Sequence, residues 1–111
     1  MRIKTFKGNW STVFIRAMKA RAYHGYHRYG SAKLHAQLTD MFENAEIRLA
    51  KYKETGNTEM LVDAANFLMF EFMYPKHKQA HFRPLNSDES PGITGVSARE
   101  FERRFYKHDG D

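Results

Sequence analysis

The apolar residues of the chain recur at helical spacing in three long segments. The first segment, residues 11–28, begins at Ser11, a suitable helix N-cap, and loosens near Gly25 and Gly30. Its apolar positions are Val13, Phe14, Ala17, Met18 and Ala22. This repeat predicts a first helix over residues 11–28.

The second segment predicts the longest helix, over residues 32–55. Ser31 precedes it as an N-cap and Gly56 ends it. One apolar stripe runs along its whole length and contains Leu34, Leu38, Met41, Ala45, Leu49 and Tyr52. Because the stripe is continuous, we expect a single unbroken helix.

The third segment, residues 58–74, is the most hydrophobic part of the chain. Asn57 or Thr58 can cap it, and Pro75 prevents its continuation. Between positions 60 and 74, twelve of fifteen residues are apolar. We therefore expect this helix to be buried almost all round and to form the core.

The rest of the chain predicts a long loop and one short helix. All three prolines fall within residues 75–97, with several glycines and serines, which is typical of a loop. Ser97 and Glu100 form a capping box that opens a helix over 98–107. No segment alternates with a period of two. The chain is predicted to be one all-α domain over residues 1–111, with three main helices and a short C-terminal one.

Composition narrows the class of protein further. With 111 residues the chain is expected to form one domain, and without cysteine it has neither disulfides, nor thiol catalysis, nor zinc sites built on thiolates. No apolar run approaches the roughly 18 residues of a membrane span. Residues 1–18 make a poor signal peptide, so we expect a soluble protein whose mature form begins at Met1. A small chain with so apolar a third helix is also expected to form a homo-oligomer.

The net charge of +5 conceals a gradient along the chain. Residues 1–37 hold eight Lys or Arg and no carboxylate, residues 38–74 hold three bases against seven acids, and residues 75–111 hold seven against six. Because residues 1–37 contain no acid, the negative charge that neutralises their Lys and Arg side chains must come from elsewhere. An external anion and the acidic middle of the same fold are both candidates.

Polar side chains converge on one face of the third helix. With Asp63 at zero and 100° per residue, Glu59 lies near −40° and Asn66 near −60°. From the second helix, Glu46 lies at the edge of the apolar stripe and joins them as a candidate. These four residues are candidate ligands of a metal ion, with Mg²⁺ as the possible cofactor. The alternative is a buried network that receives Arg or Tyr side chains from the first helix.

Side chains that can bind a ligand are most densely grouped in residues 21–30, at the junction of the first two helices. Arg binds phosphate through two donors, Tyr stacks on bases, and His donates or titrates. The candidate ligand-binding residues here are Arg21, Tyr23, His24, Tyr26, His27 and Arg28, to which the later loop adds His81 and Arg83. The alternative is that the same side chains pack the helix junction.

Residues 53–75, with 81–83 and 87–92, resemble small uncharacterised proteins of bacteriophages and prophages. This resemblance covers most of the chain and implies no activity. It implies a cytoplasmic location in a bacterial host.

Residues 61–67, Leu-Val-Asp-Ala-Ala-Asn-Phe, resemble the third-helix signature of MazG-like all-α NTP pyrophosphohydrolases. In that family paired acidic motifs hold Mg²⁺ against the phosphates of a nucleotide. The resemblance would make Glu43 and Glu46 the first pair and place Asp63 in the second. In one register Asn66 replaces the final Asp, and in the other Met60 replaces the first acid. A ligand is missing either way, which favours a related scaffold that binds over one that hydrolyses.

The expected function is binding of nucleotides or other phosphorylated ligands through the Arg, Tyr and His cluster. The alternative is a phage accessory or anti-defence protein that binds nucleic acid or a host nuclease without catalysis. If the chain is an enzyme, the resemblance implies an Mg²⁺-dependent NTP pyrophosphohydrolase. A nucleic-acid complex should weaken steeply with salt, because binding releases counterions.

Overall fold

The computed structural model describes residues 7–86 and Arg103. The chain divides into two compact units, residues 1–80 and 81–111. After a short 3-10 turn, Lys7–Asn9, the first unit contains four α-helices: α1 (Thr12–Tyr29), α2 (Ala32–Leu38), α3 (Met41–Thr55) and α4 (Glu59–Met73). Residues 7–86 contain no strand, which confirms the all-α class.

In the second unit, residues 81–86 have no regular structure and are exposed. Arg103 is helical and exposed. Apart from Arg103, the helix predicted over 98–107 lies outside the described residues, and so do residues 87–97 of the predicted loop.

Helix α1 begins and ends close to its predicted limits. The Ser11 hydroxyl accepts a hydrogen bond from the backbone N–H of Phe14 at 3.0 Å, which satisfies one of the free donors of the first turn. The helix continues through Gly25 to Tyr29. Gly30 ends it with a φ of 88°, a conformation that a side chain would strain.

The predicted single helix over 32–55 is wrong, because the chain breaks into α2 and α3 at Thr39 and Asp40. Both residues adopt extended backbone conformations there. The Asp40 carboxylate accepts from the backbone N–H of Glu43 at 2.9 Å, and its carbonyl accepts from the Asn44 amide at 2.8 Å. Asp40 is therefore the N-cap of a new helix.

The break divides the predicted apolar stripe. Met41 and Ala45, in α3, are buried, whereas Leu34 and Leu38, in α2, are exposed. Only Ala36 is buried in α2. The first part of the stripe consequently contributes little to the core.

A tight turn connects α3 to α4 and reverses the chain. Gly56 adopts the left-handed conformation with a φ of 73°, as its predicted role at the helix end requires. Asn57 supplies the side-chain oxygen that accepts from the N–H of Glu59 at 3.0 Å, and Thr58 makes no side-chain cap bond. Of the two predicted caps, Asn57 is the one that acts.

The core is small and is centred on α4, which packs most extensively on α3, then on α1 and α2. Its buried members in the described part of the chain are Ala36, Met41, Ala45, Val62, Ala64 and Asn66. Leu68, Phe72 and Met73 are exposed, so α4 is not buried all round as predicted. Among the described residues, no helix combines the length and hydrophobicity that crossing a membrane requires.

Candidate functional site

All four helices contribute to a groove of about 630 Å³. This volume lies within the usual range for small-molecule sites. The polar and aromatic side chains that line the groove are Arg21, His24, Tyr26, Arg28, Tyr29, His35, Thr39, Asn44, Arg48, Asp63, Asn66, Phe67 and Phe70. Three guanidinium groups therefore line it against a single carboxylate, and the lining is positively charged.

The carboxylate of the groove is held by a guanidinium from α1. Arg21 donates to Asp63 through Nε at 3.1 Å and through Nη2 at 3.3 Å, and Nη2 also lies 3.4 Å from Glu59. The hydrogen bond to Asp63 raises the pKa of Arg21, and the negative charges of Asp63 and Glu59 add to this, whereas burial opposes it. Arg21 is thus a cation compensated within the fold.

Asn66 connects α4 to the backbone of α1. Its Nδ2 donates to the carbonyl of Met18 at 3.0 Å, and this fixes which way the amide points. Its Oδ1 is buried and has no hydrogen-bond partner among the residues that the structure describes. Arg21, Asp63 and Glu59 thus form an ion-pair cluster across α1 and α4 in which Arg21 and Glu59 are exposed, and Asn66 makes a separate contact to α1.

Arg48 is held on the opposite side of the groove without a carboxylate. Its Nη1 donates to the Asn44 side-chain oxygen at 2.9 Å, and its guanidinium lies 4.6 Å from the centre of the Phe67 ring. Asn44 is itself fixed by its bond to the Asp40 carbonyl. These contacts orient Arg48 but leave its positive charge without an acidic partner among the described residues.

The end of α1 adds a second guanidinium of the same kind. Arg28 lies 5.4 Å from the centre of the Tyr29 ring and has no ion-pair partner within the described part of the chain. His35 donates from Nε2 to the Tyr29 carbonyl at 2.6 Å and ties α2 to this end. Arg28 and Arg48 therefore reach one groove from two different helices.

The structure divides the predicted ligand-binding cluster between two sides of α1. Arg21, His24, Tyr26 and Arg28 line the groove. Tyr23 and His27 do not line it, and their rings pack edge to face at 4.4 Å. The groove lies on the side of α1 that carries Gly25, and the helical repeat places positions 23 and 27 about 160° away from Gly25.

His81 and Arg83 belong to the second unit, where both are exposed.

Of the four candidate metal ligands, Asp63 and Asn66 line the groove. Glu59 is exposed and lies beside Arg21. Glu46 is exposed on α3 and does not line the groove. Within residues 7–86, no three His, Asp or Glu side chains are grouped closely enough to hold a metal ion. The charge next to Asp63 and Glu59 is the guanidinium of Arg21.

Sequence reasoning missed the α3 side of the groove. Asn44 and Arg48, four residues apart on α3, are half-buried, and Phe67 and Phe70 come from the same helix as Asp63. The signal was present, because Arg48 lies near the apolar stripe rather than opposite it, and a base at such a position needs a partner. Its partner Asn44 is four residues away on the same helix, whereas its contact with Phe67 became visible only in the fold.

No family model matches the chain, and the searches of curated proteins and of solved structures returned no match either.

Proposed function

We propose that the groove binds a phosphorylated ligand that carries an aromatic ring, with a nucleotide as the best fit. One observation carries the proposal: Arg28 and Arg48 line the same groove and neither has a carboxylate partner among the described residues. Guanidinium groups bind phosphate oxygens through two parallel donors. Arg48 is already oriented by Asn44 and Phe67, so little side-chain freedom is lost when it binds.

The aromatic lining supports a base or a similar ring as the second part of the ligand. Phe67 and Phe70 meet edge to face at 6.3 Å, and the groove also contains Tyr26 and Tyr29. Aromatic side chains of this kind stack on nucleobases without selecting one base strongly. The groove therefore fits a class of nucleotides.

The same residues support binding without hydrolysis. The Asp63 carboxylate already accepts hydrogen bonds from Arg21, and Glu46 does not line the groove. The acidic pairs that the MazG-like resemblance requires are therefore not brought together around the guanidinium groups. In this proposal the chain is a phage-type binding protein on a helical scaffold.

The test is titration calorimetry with ATP, tripolyphosphate and adenosine. We expect ATP to bind more tightly than either part alone, and Arg28→Gln to weaken ATP and tripolyphosphate by about tenfold while adenosine binding is unchanged. Arg16→Gln is the matched control, because it removes the same charge from α1 outside the groove. Equal effects of the two substitutions would show that only net charge matters, and no binding of any of the three would refute the proposal.

Hydrolysis is checked in the same samples. With Mg²⁺ and a panel of NTPs and dNTPs, we expect no release of pyrophosphate. Turnover that Asp63→Asn abolishes would restore the enzyme interpretation.

A second candidate function is binding of nucleic acid on the outer side of α1. Arg16, Lys19, Tyr23 and His27 lie within about 80° of one another on the helix, and all are exposed. None has an acidic partner among the described residues. If this surface binds single-stranded nucleic acid, the affinity should fall steeply with salt, and Lys19→Gln should reduce that salt dependence. A complex that is insensitive to salt would exclude this candidate.

A further inference from the structure

The side of α4 that faces away from the groove carries an apolar stripe that is half-buried in its first half and exposed in its second half. Its members are Leu61, Ala65, Leu68 and Phe72, at spacings of four, three and four residues. At 100° per residue these four lie within about 60° of one another, roughly opposite Asp63. Leu68 is 44% exposed and Phe72 is 73% exposed, although they belong to the most hydrophobic helix of the chain.

Helix α3 extends this apolar surface. Phe42 and Leu49 are 54% and 41% exposed, and they lie on the edge of α3 away from the groove residues Asn44 and Arg48. Because α3 and α4 form a hairpin, these side chains are on the same side of it as Leu68 and Phe72. We call the surface made by Phe42, Leu49, Leu61, Ala65, Leu68 and Phe72 the back face.

The spacing of the α4 stripe is that of a helix seam. Steps of four and three residues are the repeat by which helices pack side by side in coiled coils and four-helix bundles. The small side chain of Ala65 lies between larger ones and permits close approach of another helix. A hairpin with such a face has the shape of half a four-helix bundle.

The charges on the back face indicate what covers it. Glu46 and Lys53 lie on the same stripe of α3 as Phe42 and Leu49, again at steps of four and three residues. Both are exposed, and neither has an ion-pair partner among the described residues. The midpoint between these two positions lies beside Leu49.

We infer that the back face is covered by a second copy of this chain, in a twofold dimer that forms a four-helix bundle. A twofold axis beside Leu49 places the α3 helices antiparallel. Glu46 then lies opposite the partner subunit's Lys53, and Lys53 opposite the partner subunit's Glu46. A twofold interface requires a surface that is complementary to itself. An acid and a base at equal distances on either side of the axis, as Glu46 and Lys53 are, meet this requirement.

The inference goes beyond the proposed ligand and does not depend on it. The groove lies on the other side of α4 and is built from one chain, so each subunit of the dimer keeps its own groove. Failure of ligand binding therefore leaves the dimer untouched, and the reverse also holds.

The first test is sedimentation equilibrium of the full chain over a range of micromolar concentrations. We expect a mass of twice 13.1 kDa. Phe72→Glu should weaken the dimer at least tenfold, because it places a charge in an apolar seam. Since Phe72 is mostly exposed in the single chain, helicity and ATP binding should be unchanged.

The charge arrangement has a test of its own. Glu46→Lys and Lys53→Glu should each weaken the dimer by about tenfold, since each creates two like-charge contacts across the axis. The double variant exchanges the two charges and should restore the dimer. Glu54→Lys is the control for a charge reversal on the same helix, and we expect it to leave the dimer intact.

Three results would overturn the inference. The first is a chain that is monomeric at every concentration. The second is a monomer whose α4 amides are protected from hydrogen exchange only while residues 87–111 are present, which would assign the back face to the chain's own C-terminal segment. The third is a dimer that neither Phe72→Glu nor the charge reversals affect.

Discussion

Arg21 of α1 and Asp63 of α4, 42 positions apart in sequence, form a two-point ion pair that joins the basic first helix to the hydrophobic core helix. The Asp63 side chain is only 15% exposed, whereas that of Arg21 is 41% exposed. Because Asp63 is largely removed from water, its carboxylate needs the ion pair more than the exposed guanidinium of Arg21 does. This contact makes Arg21 part of the fold as well as of the groove wall.

Removing Arg21 should destabilise the protein. We expect Arg21→Ala to lower the free energy of unfolding by about 1–2 kcal/mol, because Asp63 is left largely out of water without its donor, while solvent screening of the exposed guanidinium limits the loss. Urea denaturation measures it. Arg16→Ala, which removes from the same helix a charge without an acidic partner among the described residues, should change stability by less than about 0.5 kcal/mol. Equal losses in the two variants would contradict the assignment.

The contribution of Arg21 should not vary across neutral pH. Its pKa is raised in the folded state, by the hydrogen bond to Asp63 above all. A raised pKa adds stability that is fully present below the ordinary arginine pKa and is lost only as the pH rises through the folded value. The difference in stability between wild type and Arg21→Ala should therefore stay constant on the neutral plateau, which repeated urea denaturation at several pH values checks.

Replacing Asn66 by leucine should change the free energy of unfolding only slightly. Asn66→Leu loses the bond to the Met18 carbonyl, which as part of α1 already accepts a helix hydrogen bond, and removes a buried oxygen without a partner. These two effects oppose each other, so we expect a change below about 1 kcal/mol in either direction. Thermal unfolding measures the difference. A loss well beyond that would show that Oδ1 is satisfied in solution.

The break between α2 and α3 should depend on Asp40. Asp40→Ala removes the side-chain oxygen that accepts from the Glu43 N–H, and it should lower the free energy of unfolding by about 1 kcal/mol. Asp40→Asn keeps an acceptor and should behave almost as wild type. Denaturation of the two variants checks this, and a stabilised Asp40→Ala would indicate that the two helices prefer to join.

The groove should distinguish arginine from lysine at position 48. Arg48→Lys keeps the charge but loses the planar group that bonds Asn44 while it stacks on Phe67. We expect the affinity for tripolyphosphate to fall by about tenfold with little change in stability. Lys33→Arg is the reverse exchange at an exposed site outside the groove, and calorimetry should show no effect of it.

Much of the helix pattern followed from local chemistry. Ser11 and Ser31 cap helices in the structure as predicted, Gly56 ends one in the left-handed conformation, and α4 stops before Pro75. The convergence of Glu59, Asp63 and Asn66 on one face also followed from the helical repeat. Each of these depends on residues within a few positions of one another.

The break at Asp40 was missed although its signal was local. Asp40 and Glu43 have the spacing of a capping box, but the apolar stripe continues across them and favoured one helix. The hydrogen bonds of Asp40 to Glu43 and Asn44 outweigh the stripe, because Leu34 and Leu38 have no core to enter.

The sequence by itself determined the all-α class, the helix ends marked by Ser11, Ser31, Gly56 and Pro75, and the polar face of α4, because caps, breakers and periodicity act over one or two turns. Only the tertiary structure decided that Arg21 is compensated by Asp63, that Arg28 and Arg48 reach one groove, and that Tyr23 and His27 lie outside it. These relationships depend on which helices pack together. That choice is made by contacts between residues far apart in the chain, which no local pattern specifies.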